Sequence, residues 1–314
     1  MIWILIYIFY LIAGFVILLK SADSVIDHAA LVAMKRNVSH HSIGMTLVAL
    51  VTSLPEFAIS TFSSFVGEAD IAIANVVGSN ITNIALALGL LLLLKPYERK
   101  EGCIDAGFML AITLICGALM LDLQISRIDG LILFLIIFAF IYLMKQKKNY
   151  QMGEAYQKTG VTEKEASIWT DILISILGMG GVWIGGWMII NGVVGISTLL
   201  GIPSLALSLT VVALGTSLPE LATSIIAIRK NVGDIAVGTL IGSNILNIVF
   251  VLGTAAMVRP IAVAESIVIY YLPLMIITAL LTVIFIKLGR MGRVHGIILL
   301  LIYAAFLVGI GMGI

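Results

Sequence analysis

A duplicated segment constrains this chain more than any other feature of its sequence. Residues 48–60 align with residues 212–224, and ten of the thirteen positions are identical. At the same offset of 164 residues, 70–89 aligns with 234–253 without a gap. Both copies keep a proline, a glutamate, an aspartate and two asparagines in register, which apolar sequence does not reproduce by chance. The chain is therefore expected to contain two related halves.

The composition indicates that most of this chain lies in a lipid bilayer. Hydrophobic residues make up 61% of the 314 positions and charged residues only 11%, with a mean hydropathy of +1.17. Soluble domains carry about 25% charged residues. The net charge of +1 and the lack of a long basic run give no basis for nucleic-acid binding.

Apolar runs separated by charged or Pro/Gly-containing segments predict an all-α membrane protein with ten spans, since about 20 residues cross a bilayer. The first run is too long for a cleavable signal and has no basic residues before it. We expect a first repeat at 1–144, a cytoplasmic linker at 145–167 and a second repeat at 168–314. The ten predicted spans are 2–33, 41–66, 70–94, 104–121, 128–144, 169–200, 204–228, 234–257, 264–286 and 294–314.

Five spans per half is an odd number, so the second half is expected to enter the membrane upside down. Secondary transporters built this way place their binding site at the midplane between the repeats. The loops on one side carry 15 of the 18 Lys and Arg residues and those on the other side carry Arg127 and Arg259. The positive side faces the cytoplasm, which predicts that both termini are outside.

Glu56 and Glu220 are the only carboxylates near the middle of an otherwise uncharged span. An ionised group there costs at least about 2.5–3.5 kcal/mol, and its occurrence at equivalent positions of both repeats predicts a shared site. The alternative is a protonated or hydrogen-bonded glutamate that only packs helices.

Pro55 and Pro219 directly precede the two glutamates and predict a kink or break in each helix, because proline has no N–H to donate. The carbonyls freed by such breaks, together with the carboxylates, are the hard oxygen ligands that Ca²⁺ requires.

Further oxygen donors lie on the same helix faces as the glutamates. Hydroxyl groups three and four residues before each glutamate belong to Thr52, Ser53, Thr216 and Ser217. In the third and eighth spans, hydroxyl and amide groups four residues apart belong to Ser79, Asn83, Ser243 and Asn247. Such side chains can instead bond their own helix or a neighbour. We expect that second role for Asn80 and Asn244, which lie on another face, and an N-cap role for Asp70 and Asp234.

The duplicated Thr-Ser-Leu-Pro-Glu and Gly-Ser-Asn-Ile-x-Asn-Ile elements resemble the α-repeats of the sodium/calcium exchanger family, in the cation/calcium antiporter superfamily. The match covers residues 42–89 and 206–253. The resemblance implies an antiporter that exports Ca²⁺ in exchange for entering Na⁺. It implies a central calcium site formed by the carboxylates of Glu56 and Glu220 with carbonyls or hydroxyls of Thr52 and Thr216. It also implies flanking sodium sites that use the Ala49 and Ala213 carbonyls with Ser53, Ser217, Ser79 and Ser243.

Two positions depart from the family pattern. Members with established sodium coupling often carry Asp where this chain has Asn247, so the site has one carboxylate fewer. Val51 stands where the second copy has Gly215, which makes the first break stiffer. In the family the first and sixth spans form a pair that slides against the other eight.

The sequence thus predicts a Ca²⁺/Na⁺ antiporter that works by alternating access at a midplane site in the plasma membrane. It predicts no cofactor and no enzymatic activity, with Ca²⁺ and Na⁺ as transported ions, a lipid bilayer as the surroundings and a monomer as the functional unit. A Ca²⁺/H⁺ antiporter is the first alternative and gains weight from Asn247. A passive cation channel is a further alternative, because rings of carboxylates and carbonyls also select cations. An intramembrane enzyme is the least favoured, since the spans hold no Ser/His pair or metal cluster.

Overall fold

The computed structural model describes residues 2–35, 53–97, 103–146, 167–229 and 233–313. Ala49, Thr52 and most of the predicted linker lie outside these ranges. Nearly all described residues are helical, as expected for an all-α membrane protein. The helices are α1 (Ile2–Lys35), α2 (Leu54–Val66), α3 (Ala69–Leu94), α4 (Cys103–Leu119), α5 (Arg127–Gln146), α6 (Ile168–Leu200), α7 (Ser204–Thr216 and Leu218–Arg229), α8 (Gly233–Leu246, Asn247–Leu252 and Gly253–Val258), α9 (Ile267–Lys287) and α10 (Arg293–Gly311).

Within the described ranges, six segments are long and apolar enough to cross a bilayer. They are Ile2–Ser21, Ala69–Leu94, Ile168–Leu200, Ala236–Val258, Ile267–Lys287 and Arg293–Gly311. Ile104–Leu119 and Ser204–Thr216 are shorter apolar helices. These segments coincide with predicted spans and confirm a helical membrane protein.

The third and eighth helices form the centre of the bundle. The most apolar windows of α3 and α8 are 83% and 72% buried, whereas those of α1 and α10 are 11% and 22% buried. The outer helices therefore present apolar side chains outwards, as lipid requires, while α3 and α8 are enclosed by protein. Both central helices contain a π-helical stretch at equivalent positions, Thr82–Leu88 and Asn247–Leu252. Such π-helical insertions are common at functional sites.

Short backbone pairings close the bundle at both ends of α3. Tyr97, just after α3, exchanges two hydrogen bonds of 2.7 Å with Met291 before α10. At the other end, Gly67 precedes α3 and contacts the guanidinium of Arg259, next to the antiparallel pair β1 (Gln124–Ile125) and β2 (Ile261–Ala262). Tyr97 and Ile261 are 164 residues apart, which is the repeat offset. The two halves therefore make equivalent pairings at opposite ends of a helix about 39 Å long.

The first and sixth helices pack closely along glycines. A Cβ added at Gly185 would lie 2.8 Å from the carbonyl oxygen of Gly14, and one added at Gly192 would lie 3.0 Å from that of Tyr7. The contacts run in opposite directions along the two helices, so α1 and α6 are antiparallel neighbours. Small residues allow such backbone approach in membranes.

The N-cap prediction for Asp70 is wrong. The α3 helix begins at Ala69 with Glu68 at the N-cap position and no side-chain capping bond. Gly67 ends α2 in a left-handed conformation, and the chain re-enters a helix two residues later, which is too early for Asp70 to precede it. Asp70 lies instead in the first turn, where a negative charge interacts favourably with the helix dipole. The N-cap prediction for Asp234 is wrong as well, because α8 already includes Gly233; the side chain of Asp234 lies outside the described residues.

Candidate cation-binding site

The seventh helix is interrupted where proline predicts a break. The N–H of Ser217 donates to the carbonyl of Ala213, and the next such bond is from Leu221 to Ser217 itself. Pro219 has no N–H for the carbonyl of Gly215. In the first half, α2 begins at Leu54 with Pro55 in its first turn. The break predicted at Pro219 is therefore present, and α7 resumes just before Glu220. The residues before Ser53, which would show the break predicted at Pro55, lie outside the described ranges.

Glu56 and Glu220 come together in the interior, one from each half. Both are fully buried. They are close enough for Glu220 to act electrostatically on the carboxyl group of Glu56, and Thr216 and Ser217 lie beside that same group. Within the described residues, neither carboxylate oxygen of Glu56 has a hydrogen-bond partner of ordinary geometry. A buried carboxylate without such a partner is costly and marks a place that a cation can occupy.

The second-half residues around the break contact Ser79 of the first half. The Ser79 hydroxyl lies 3.2 Å from the hydroxyl of Thr216 and donates to the carbonyl of Ala213 across 3.4 Å. A Cβ added at Gly78 would lie 2.7 Å from the Cβ of Ala213, so glycine permits this approach. Ser79, Ala213 and Thr216, all predicted as ligands, therefore share one location.

The other predicted hydroxyl groups are also buried near the glutamates. Ser243 donates a hydrogen bond of 3.2 Å to Oε1 of Glu220. The side-chain oxygens of Ser53 and Ser217 are buried and have no hydrogen-bond partner of ordinary geometry among the described residues. Ser217 lies beside Glu56. The structure thus places hydroxyl oxygens from both halves around the carboxylates.

Amide side chains of α3 and α8 bond to one another. Asn83 donates to the side-chain oxygen of Asn244 across 3.1 Å, and Asn244 donates to the carbonyl of Asn80 across 3.0 Å. Asn244 therefore joins α3 to α8, as predicted, and it engages Asn83 as well. The side chain of Asn80, for which the same role was predicted, has no hydrogen-bond partner among the described residues. Both amide atoms of Asn247 are buried without a hydrogen-bond partner in the described part of the chain.

Sequence reasoning missed Asn75. This residue is completely buried and bonds to the backbone of Glu56, to Ser60 and to Thr216. The signal was present in the sequence, because Asn75, Ser79 and Asn83 recur every four residues and share a helix face. It was hidden by the repeat, since the equivalent position of the second half is Thr239.

The donor set is oxygen only. Within the described residues, no three His, Cys, Asp or Glu side chains lie close enough to hold a metal ion together. The two glutamates can carry a charge of −2, and the other nearby donors are neutral hydroxyls and carbonyls. Such a set suits a hard cation such as Ca²⁺ or Na⁺ and not a soft transition metal.

Comparison with known proteins supports the fold. Residues 6–145 and 170–312 match the sequence profile of the sodium/calcium exchanger protein family. The chain belongs to this family. The exchanger-family relatives include the sodium/calcium exchanger MaX1 of Methanosarcina acetivorans, which is 32% identical over 95% of this chain and 96% of its own length. The inner membrane protein YrbG of Escherichia coli is 33% identical over 80% of this chain and 79% of its own length.

Solved structures extend the family assignment to three dimensions. The sodium-calcium exchanger NCX_Mj, soaked with Na⁺ and Sr²⁺, is similar with a TM-score of 0.66 and 28% identity, covering 96% of this chain and 97% of that one. The H⁺/Ca²⁺ exchanger CAX has a TM-score of 0.82 at 18% identity, covering 96% of this chain and 82% of that one. The second likeness concerns the fold alone.

Proposed function

We propose that this chain is a secondary active antiporter that exchanges Ca²⁺ for Na⁺ by alternating access at a midplane site. The observation that carries the proposal is the pairing of Glu56 with Glu220, one from each half, in a fully buried position beside hydroxyl groups. Membership of the exchanger family and the likeness to MaX1 and NCX_Mj support Ca²⁺ and Na⁺ as the ions.

The proposed topology is two inverted repeats of five helices, with the linker 145–167 in the cytoplasm and both termini outside. Two observations support it. The equivalent backbone pairings at Tyr97 and Ile261 lie at opposite ends of α3. The end near Tyr97 carries Lys95, Arg290 and Arg293, whereas the other end has Arg127 and Arg259. The cell membrane is the proposed location, and a single chain is the proposed transport unit.

The charge of the site explains exchange. One Ca²⁺ neutralises two ionised glutamates, and two Na⁺ do the same. A neutral site costs less energy in the low-dielectric centre of the membrane than a charged one. The ion-free, ionised site is therefore expected to change slowly between its inward-facing and outward-facing states. The ions themselves shift the population between the two states. Coupled exchange is then faster than uncoupled Ca²⁺ transport, because the ion-free protein changes slowly from one side of the membrane to the other.

Ca²⁺/H⁺ exchange is the second candidate. Asn83 and Asn247 leave the two glutamates as the carboxylates of the proposed ligand set, and protons can neutralise those carboxylates in place of Na⁺. The fold of the H⁺/Ca²⁺ exchanger CAX accommodates the same arrangement of helices.

Reconstituted vesicles separate the two candidates. Purified protein is inserted into liposomes, and ⁴⁵Ca²⁺ uptake is measured with an outward Na⁺ gradient alone, then with a pH gradient alone. Uptake driven by Na⁺ and abolished when K⁺ replaces Na⁺ supports the proposal. Uptake driven only by the pH gradient supports the second candidate. Uptake that needs no counter-ion contradicts both and indicates a channel.

A further inference from the structure

Asn75 uses all of its hydrogen-bonding groups inside the bundle. Its amide nitrogen donates to the carbonyl of Glu56 across 3.2 Å and to the hydroxyl of Ser60 across 2.9 Å. Its amide oxygen accepts from the hydroxyl of Thr216 across 3.2 Å. One side chain of α3 therefore connects the backbone at the first glutamate with a hydroxyl beside that glutamate, and these two groups come from different halves.

The orientation of the Asn75 amide is fixed by its partners. The Glu56 carbonyl can only accept, so the amide nitrogen must face it and the amide oxygen must face Thr216. That oxygen can only accept as well, so in the hydrogen bond between the two side chains the single proton of the Thr216 hydroxyl points to Asn75. The Ala213 carbonyl is another acceptor at 3.2 Å, but its two lone pairs already receive the N–H of Ser217 and the hydroxyl of Ser79. The Ser79 hydroxyl and the Glu56 carboxyl group also lie beside the Thr216 oxygen, and the hydrogen bond to Asn75 keeps the proton from them.

The direction of this proton matters for cation binding. Thr216 lies beside the carboxyl group of Glu56. If its proton points to Asn75, its lone pairs are turned away from Asn75 and are available on the other side. A cation needs lone pairs and is repelled by a hydroxyl proton. Asn75 therefore prepares Thr216 as a ligand without contacting the cation itself.

The second half has no equivalent asparagine at this position. The position equivalent to Asn75 is Thr239, which is also buried. The surroundings are otherwise preserved, because Ser60 donates to the carbonyl of Ala72 and Ser224 donates to that of Ala236, at equivalent positions. A threonine has one proton and cannot supply two donors and an amide oxygen together. The site is therefore asymmetric despite the repeat.

We propose that Asn75 is a positioning residue of the cation site, which holds the backbone of Glu56 and turns the Thr216 hydroxyl so that its oxygen faces the cation. The inference rests on the proposed function of the site. The proposal predicts an effect on cation affinity and not on the maximal transport rate. Loss of Asn75 weakens cation binding, whereas the glutamates that neutralise the charge remain in place and transport at saturating Ca²⁺ continues.

The first test is ⁴⁵Ca²⁺ binding and uptake by the full-length Asn75→Ala protein. A hydrogen bond of this kind contributes about 0.5–1.5 kcal/mol, so we expect the Ca²⁺ concentration at half-maximal uptake to rise about two- to tenfold, with the maximal rate nearly unchanged. Asn191→Ala is the matched control, because the amide of Asn191 bonds to Trp187 in its own helix. A fall in maximal rate with unchanged half-saturation would indicate a merely structural role and overturn the proposal.

A double-mutant cycle tests whether Asn75 acts through Thr216. In the Thr216→Val background, Asn75→Ala is expected to change half-saturation by much less than in the wild type, because the hydroxyl to be oriented is gone. Additive effects would overturn the proposal. If Asn75→Ala does not yield folded protein, Asn75→Thr introduces the residue that the second half already carries, and the same expectations apply.

The outcome also separates this inference from the proposed function. Unchanged Ca²⁺ binding in the Asn75 variants, with normal exchange by the wild type, would overturn the role of Asn75 alone. A wild-type protein that binds no Ca²⁺ in equilibrium binding would overturn both. Binding without Na⁺-driven uptake would contradict only the coupling ion, and the binding measurement would still decide the role of Asn75.

Discussion

The hydroxyl of Ser79 in the first half lies 3.2 Å from the hydroxyl of Thr216 in the second half. This contact crosses the interface between the repeats at the level of the broken α7 helix, where Ser79 also donates to the carbonyl of Ala213. A hydroxyl of the first half therefore shares a single location with a hydroxyl and a backbone carbonyl of the second half. Cation binding at that location is expected to depend on both halves at once.

Replacing Ser79 by alanine is expected to weaken Na⁺ binding more than Ca²⁺ binding. The hydroxyl is one of the neutral oxygens assigned to a sodium site, whereas the calcium site keeps its two carboxylates. We expect the half-saturating Na⁺ concentration for exchange to rise about two- to tenfold, as for the loss of one buried hydrogen bond. Thr198→Ala is the control, since Thr198 bonds to Val194 of its own helix. An equal change for both ions would contradict the assignment.

Adding a carboxylate at Asn247 is expected to strengthen Na⁺ binding. Asn247 lies one turn from Ser243, which bonds to Glu220, and its amide has no hydrogen-bond partner among the described residues that the change would remove. Asn247→Asp should lower the half-saturating Na⁺ concentration several-fold. Asn83→Asp is the comparison, because there the change destroys the donor to Asn244 and should lower the melting temperature instead. If Asn247→Asp leaves Na⁺ dependence unaltered, this residue lies outside the site.

Acid is expected to compete with Ca²⁺. A proton bound to either glutamate removes a negative charge that Ca²⁺ needs, so lowering the pH should raise the half-saturating Ca²⁺ concentration, and saturating Ca²⁺ should restore the rate. The measurement is initial ⁴⁵Ca²⁺ uptake at a series of pH values and Ca²⁺ concentrations. Inhibition by acid that excess Ca²⁺ fails to reverse would argue against shared carboxylates.

Adding a methyl group at Gly78 is expected to disrupt the close packing there. A Cβ there would lie 2.7 Å from the Cβ of Ala213 and 2.9 Å from the carbonyl oxygen of Leu209. Gly78→Ala should therefore destabilise the protein by about 1–3 kcal/mol, seen as a lower unfolding temperature in detergent. Gly107→Ala is the control, because no described residue outside its own helix has an atom within 4 Å of the added Cβ. Equal stability of the two variants would show that α3 and α7 are less tightly packed.

Much of this architecture follows from local sequence patterns. Hydropathy predicted the helices that the structure describes to within a few residues, and Pro219 predicted the interruption of α7, because both depend on neighbouring residues alone. The repeat also singled out Glu56 and Glu220, because they occupy equivalent positions in its two copies. The pairing of Asn83 with Asn244 was not predictable, since it depends on the approach of α3 to α8. Asn75 was missed for a related reason: its three partners are distant in sequence and its repeat counterpart is Thr239.

The central claim is that Glu56 and Glu220 together bind the transported cation, and Ca²⁺ flux in their glutamine variants tests it most directly. Glu56→Gln and Glu220→Gln keep the size of the side chain but halve the charge available to Ca²⁺, so each is expected to abolish Na⁺-driven ⁴⁵Ca²⁺ uptake in liposomes. Glu265→Gln makes the same chemical change at an exposed residue and should transport normally. Unchanged uptake by both site variants would contradict the account.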